Sequence, residues 1–116
     1  MRDWFTVDDM AIHQEQALGA WHQRSIVDQL ANVGSEVGRI RKWKARNSDI
    51  AERAFIRALE LLDLSISDPR WAGARRKELT RVRSFLCDAM EGGKEHKSTL
   101  EDLDRYFLAF AVAARR

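Results

Sequence analysis

Ile26, Leu30, Val33, Val37, Ile40 and Trp43 follow one another at spacings of 4, 3, 4, 3 and 3. Those intervals place all six on one face of an α-helix. The pattern predicts a helix over about residues 21 to 46. Gly34 and Gly38 lie inside it, and each glycine costs a helix interior about 1 kcal/mol. Either a second backbone approaches closely at these positions, the reading we favour, or the glycines are simply tolerated.

A second apolar face follows, made of Ile50, Ala54, Phe55, Ala58, Leu61, Leu62 and Ile66. Asn47, Ser48 and Asp49 offer N-caps for it, with Asp49 and Glu52 at capping-box spacing. Pro69 disfavours helical geometry at Asp68, so the helix should end there. Trp71 to Gly73 is a connector. A third helix is predicted from about Arg75 to Met90, with Leu79, Val82, Phe85, Leu86, Ala89 and Met90 inward. Gly92 and Gly93 stop it. The polar loop GGKEHKS leads to Ser98 and Glu101, a second capping-box pair. Leu100, Leu103, Phe107, Phe110 and Ala114 then repeat at 3, 4, 3 and 4.

No β-type alternation lasts a strand's length, so the chain is all-α. Four helices with short turns predict an up-and-down antiparallel four-helix bundle over residues 21–116. Residues 1–20 form an N-terminal extension or a short extra helix. Thr6 and Asp9 can cap it, and Val7, Met10, Leu18 and Trp21 give it a loose stripe weakened by Gly19. Trp4, Phe5 and Trp21 lie outside the four-helix seam, where they cover one end of the bundle or pack on another subunit.

Length and composition narrow the class. A chain of 116 residues is one domain, large enough for a core of its own. Its single cysteine, Cys87, excludes an internal disulfide and fits a reducing compartment. No apolar run approaches the ~20 residues of a membrane span. Met1 to Asp9 is polar and acidic, unlike a signal peptide. The expected location is the cytoplasm.

Charge is where the sequence becomes uneven. The net charge is only +2, yet eleven of the twenty Lys and Arg fall in two blocks that contain a single acid, Glu78. The first is Arg39, Arg41, Lys42, Lys44 and Arg46. The second is Arg70, Arg75, Arg76, Lys77, Arg81 and Arg83. Trp43 and Trp71 accompany them. Such segregation is a footprint for a polyanion or an acidic partner. Part of the first block also complements a helix C-terminus. Trp43 fits the apolar seam, whereas Trp71 follows a helix-ending proline and is the better candidate for an exposed contact. In an up-and-down bundle the two blocks start at opposite ends, on helices that are diagonal neighbours.

Catalytic chemistry is not evident. None of His13, His22 and His96 has a glutamate three residues before it, and no Cys/His spacing suits zinc. Cys87 reads as a small, partly buried hydrophobe. Gly92-Gly93-Lys94 is a helix stop rather than a phosphate loop. Arg53, Arg57, Glu60 and Asp63 read as a surface charge network, and Asp102, Asp104 and Arg105 as a solvated face. No arginine precedes a histidine at the spacing of small helical toxin ribonucleases. The sequence therefore implies no metal, no cofactor and no small-molecule substrate.

The stretches ANVGSEVGRIRKWKARNSDIAERAFIRALELLDLSISDPRW, RRKELTRVRSFLCD and STLEDLDRYFLAFAVAAR resemble a group of small bacterial four-helix-bundle proteins over about residues 20 to 116. More remotely, the architecture is similar to the bundles of the ribosomal-RNA intervening-sequence proteins and the accessory variability determinant of diversity-generating retroelements. That resemblance implies a basic, ring-forming homo-oligomer, often a pentamer, which binds nucleic acid or a reverse transcriptase. It transfers no catalytic residues. The leading expectation is a non-enzymatic accessory protein that binds RNA, DNA or a nucleic-acid enzyme. Its expected contacts are Arg39, Arg41, Lys42, Lys44, Arg46, Arg70, Trp71, Arg75, Arg76, Lys77 and Arg81. The rival reading is a protein–protein adaptor from a two-gene module with an acidic partner. The third is a small helical nuclease or toxin.

Overall fold

Side-chain caps fix most helix starts in this chain. The computed structural model describes residues 19–116, in which four long helices follow one another. They are α1 (Ile26–Trp43), α2 (Ser48–Ile66), α3 (Ala74–Met90) and α4 (Leu100–Ala114), with a 3-10 turn at Pro69–Trp71. The expected N-terminal segment, with Trp4, Phe5 and the Thr6–Asp9 cap, lies outside the described residues apart from its last helical positions, Gly19 to Trp21.

α1 begins at Ile26, not at Trp21 as the periodicity predicts. The chain turns at His22 to Ser25, and extended Ser25 accepts the Asp28 N–H through its hydroxyl. Of two further caps, the first falls on a predicted residue and the second one residue later. Asn47 caps α2 by accepting from the N–H groups of Asp49 and Ile50. Thr99, not Ser98, caps α4 by accepting from Asp102 N–H. Asp68 is extended ahead of Pro69, as expected, and its carboxylate caps the 3-10 turn at Arg70 N–H. Gly92 and Gly93 close α3 at positive φ, with Gly93 N–H bonded back to Asp88 C=O at 2.8 Å.

α1 is the hub of the bundle. Leu30, Val33, Val37 and Ile40 are wholly buried, and so are Ala58 and Leu62 of α2, with Phe107 of α4 nearly so. The seams of α1 with α2 and with α4 are extensive, whereas α3 meets α2 and α4 along thin ones. This ordering makes α3 the diagonal partner of α1, the up-and-down arrangement. At Gly34 the backbones of α1 and α4 approach so closely that a Cβ would lie 2.7 Å from Phe107 Cβ. At Gly38 the nearest atom would be Asp104 Oδ1, at an ordinary 3.8 Å.

The N-terminal end of α1 carries a buried polar network. Gln29 is wholly buried, as are Ser65 and Asp68. Its Nε2 donates to Trp21 C=O at 2.9 Å and to Asp68 Oδ2 at 3.1 Å. Its Oε1 accepts from Ser65 Oγ at 2.8 Å and from Trp71 Nε1 at 2.9 Å. Trp21 Nε1 donates to Ser65 Oγ at 2.9 Å, and His22 Nε2 donates to Leu64 C=O at 3.0 Å. Arg70 pairs with the Asp68 carboxylate at 2.7 Å and also donates to Arg24 C=O at 2.6 Å. Arg76 reaches back to Ile66 C=O at 2.7 Å, a carbonyl that α2 leaves open, and to Asp68 C=O at 3.1 Å, which also accepts from Trp71 N–H. The hydrogen bonds from Arg70, outweighing burial and joined by that from Gln29, lower the Asp68 carboxyl from 3.8 to about 2.

Two tests follow from this packing. Gly34→Ala should destabilise the fold by about 1–3 kcal/mol, because Phe107 must shift. Gly38→Ala should stabilise it by roughly 0.5–1 kcal/mol through helix propensity alone. Thermal unfolding reads both, and shifts of the same sign at the two sites would contradict the close approach. The depressed Asp68 group contributes stability that is present above its unfolded pKa and lost as pH falls from about 4 through about 2. Asp68→Asn should lower stability at pH 7 and remove that part of the acid sensitivity. Urea unfolding of both proteins at pH 7, 4, 3 and 2.5 checks it, and parallel stability–pH curves would refute the assignment.

Candidate basic interface

Six of the eleven clustered cations already have partners within the fold. On α1, Arg39 pairs with Glu36 at 2.8 Å. Arg41 crosses to α4 and pairs with Asp104 at 2.9 Å and Glu101 at 3.7 Å. On α3, Arg75 pairs with Glu78 at 2.7 Å, and Arg83 crosses to Asp63 of α2 at 2.7 Å. Arg70 and Arg76 belong to the polar network below the 3-10 turn. The Asp68 hydrogen bond raises the Arg70 guanidinium and the Asp63 hydrogen bond raises that of Arg83, so both stay charged. Trp71 is half-buried, donates its indole N–H to Gln29, and carries the Arg70 guanidinium 4.4 Å from its ring centroid.

The other five, Lys42, Lys44, Arg46, Lys77 and Arg81, are exposed and have no ion pair among the described residues. Lys42 lies over the Trp43 ring at 5.3 Å. Trp43 is half-buried and outside the buried core, where the seam pattern placed it inside. It is the last residue of α1, where the bundle ends, so one side of its ring has no helix to pack against.

The two blocks do not merge. Arg70 and Arg76 sit beside the start of α1, through Arg24 and the last turn of α2. Lys42, Lys44 and Arg46 sit at the other end, around the α1–α2 turn. There Lys44 shares a surface cavity of about 470 Å³ with Gly92, Ser98 and Thr99. The loop after α3 therefore adjoins the first block and brings Lys94 and Lys97 to the same end of the bundle. Sequence reading missed these two lysines because GGKEHKS reads as a solvated linker. Their signal is the paired glycine stop, which turns the loop back over the end of α1. The arrangement can neutralise anionic groups by charge, with Trp43 beside them as an aromatic face.

Among the described residues, no three His, Cys, Asp or Glu side chains converge as metal ligands. His22 is tied to Leu64 C=O, His96 packs edge-on against Phe85, and Cys87 is half-buried on α3. No described helix is long and apolar enough to cross a membrane. Compared with known proteins, the chain matches no family model, no curated protein and no solved structure.

Proposed function

We propose that this protein is a non-enzymatic cytoplasmic accessory bundle. It engages RNA or DNA, or an enzyme acting on them such as a reverse transcriptase, through the end formed by the α1–α2 turn. One observation supports the reading above the others. Lys42, Lys44 and Arg46 are exposed and unpaired among the described residues, while neighbouring Arg39 and Arg41 are neutralised. The recognition is phosphate neutralisation with little base readout, because no recognition helix or stacking sheet is present in the described fold.

A second observation favours assembly. On α4, Leu108 is 58% exposed and Val112 45%, one turn apart on the same face. A second copy of this helix, laid antiparallel, would cover these apolar side chains with its own. This supports the homo-oligomer that the remote resemblance implies. An acidic protein partner on the same basic end is the adaptor alternative.

Fluorescence anisotropy of labelled RNA and DNA at several salt concentrations tests the main reading. Micromolar binding should weaken steeply with salt. Changing Lys42, Lys44 and Arg46 together to glutamate should cost at least about tenfold in affinity and flatten the slope by roughly 0.7–0.9 per lost phosphate contact. Equal binding by the folded triple variant would remove this end as the site. No binding at low salt would shift the case to a protein partner. Sedimentation velocity tests assembly, since Leu108→Glu with Val112→Glu should convert the oligomer to monomer. A wild-type protein that sediments as a monomer would refute the α4 contact.

A further inference from the structure

Because α3 meets α4 along a thin seam, a cleft of about 400 Å³ opens between them and is closed at one end by the loop after α3. That volume lies within the ~300–1,000 Å³ of ordinary small-molecule sites. Its apolar lining comes from Val82, Phe85, Leu103 and Tyr106, and its cations are Arg81 and Lys97. Acids also border it, but they are neutralised: Glu78 is held by Arg75 at 2.7 Å and Asp102 by Arg105 at 2.6 Å. Arg81 and Lys97 have no ion pair among the described residues. The uncompensated charge of the cleft is therefore positive.

Its loop wall is built rather than loose. Asp88 is buried, and its carboxylate accepts the backbone N–H groups of Glu95, His96 and Ser98 at 2.9, 3.1 and 3.1 Å. Burial pushes this carboxyl up, but the three amides outweigh it and hold it below its usual value. Gly93 is required, since a Cβ there would lie 2.7 Å from Ser98 C=O at a φ of 74°. Lys97 is the one non-glycine residue at positive φ among the described residues, at 56°. Such strain persists only where surrounding bonds over-determine it, as the Asp88 hydrogen bonds do here.

Tyr106 completes the case. Its hydroxyl is the one buried side-chain polar atom without a hydrogen-bond partner among the described residues. Buried polar groups are rarely left so, because the cost exceeds that of a lost exposed bond. Burial, joined by the nearby Glu78 carboxylate, pushes this hydroxyl up to about 12, so it stays protonated.

We propose that this cleft binds a small carboxylate with an apolar, aromatic-sized body. The body would lie on Phe85 and the Tyr106 ring, and the acid would meet Arg81 and Lys97. The loop after α3 borders both this cleft and the α1–α2 end, but the cleft does not depend on nucleic-acid binding.

The test is a titration of 15N-labelled protein with 2-naphthoate, with the neutral 2-naphthamide as control. Saturable shifts should appear at Phe85, His96 to Thr99 and Tyr106, with a Kd below about 1 mM. The amide should bind about tenfold weaker. Arg81→Gln with Lys97→Asn should lose the preference for the acid, asparagine being chosen because it tolerates positive φ. Phe85→Ala should weaken 2-naphthoate and 2-naphthamide alike, because both aromatic bodies lie on this ring. Absence of saturable shifts at millimolar probe, equal binding of acid and amide, or shifts confined to other faces would each overturn the proposal.

Discussion

The side-chain amide of Gln29 offers two donors and two acceptor positions, and all four are used. This single group joins the start of α1 to the last turn of α2, to the 3-10 turn and to the backbone at Trp21. A buried polar cluster of this kind is stabilising only when complete. Each unmet donor or acceptor would cost about 1–3 kcal/mol, more for the Asp68 carboxylate. Completeness explains why so many unlike residues converge here. Asp68 needs Arg70 because Gln29 supplies only one of its hydrogen bonds. The Ile66 carbonyl needs Arg76 because the helix must stop before Pro69. The geometry at this end is fixed by mutual satisfaction rather than by apolar area.

At the middle of the bundle the controlling constraint is steric. Gly34 lets Phe107 settle against the α1 backbone, so α4 lies tightly along α1. Arg41 and Asp104 then close the same seam from the solvent side. α3 has only thin seams with its neighbours, although Arg83 pairs with Asp63 of α2 at 2.7 Å. Phe85, Met90 and Tyr106 are only partly buried, and larger side chains hold the α3–α4 axes apart. The bundle is thus two-sided: three helices, α2, α1 and α4, form a dense sheet of contacts, and α3 leans on them. The cleft and the loop organised by Asp88 both lie on that looser side.

The apolar spacing made the fold class and the interior faces legible. Leu30, Val33, Val37 and Ile40 are buried as their intervals require. Helix ends were less legible where adjacent residues offer equivalent caps. Ser98–Glu101 and Thr99–Asp102 have the same spacing, and only the path of the backbone selects the second. The early start predicted for α1 came from extending its stripe to Trp21, although Ser25 and Asp28 mark a start of their own. Gln29 was overlooked because a polar residue inside an apolar stripe carries no sign of what it will bond to. Its partners lie 8 to 42 positions away. The same limit hid Arg41–Asp104 and Arg83–Asp63, whose members are 63 and 20 positions apart.

The basic blocks show how segregation along a chain differs from segregation on a surface. In sequence the two are equivalent, each a run of cations with a tryptophan. In the fold every cation with an internal partner is an arginine, while three of the five unpaired ones are lysines. Chemistry accounts for the division. The planar guanidinium can hold a carboxylate and a carbonyl together, as Arg70 does with Asp68 and Arg24, whereas a hydrated ammonium group is less suited to such a bridge. The second block is therefore largely committed to holding the α2–α3 connection. Electrostatic attraction for a polyanion depends on charge not already neutralised within a few ångströms. By that criterion the first block, where Lys42, Lys44 and Arg46 remain unpaired around one short turn, is the stronger anionic attractor, although it contains fewer cations.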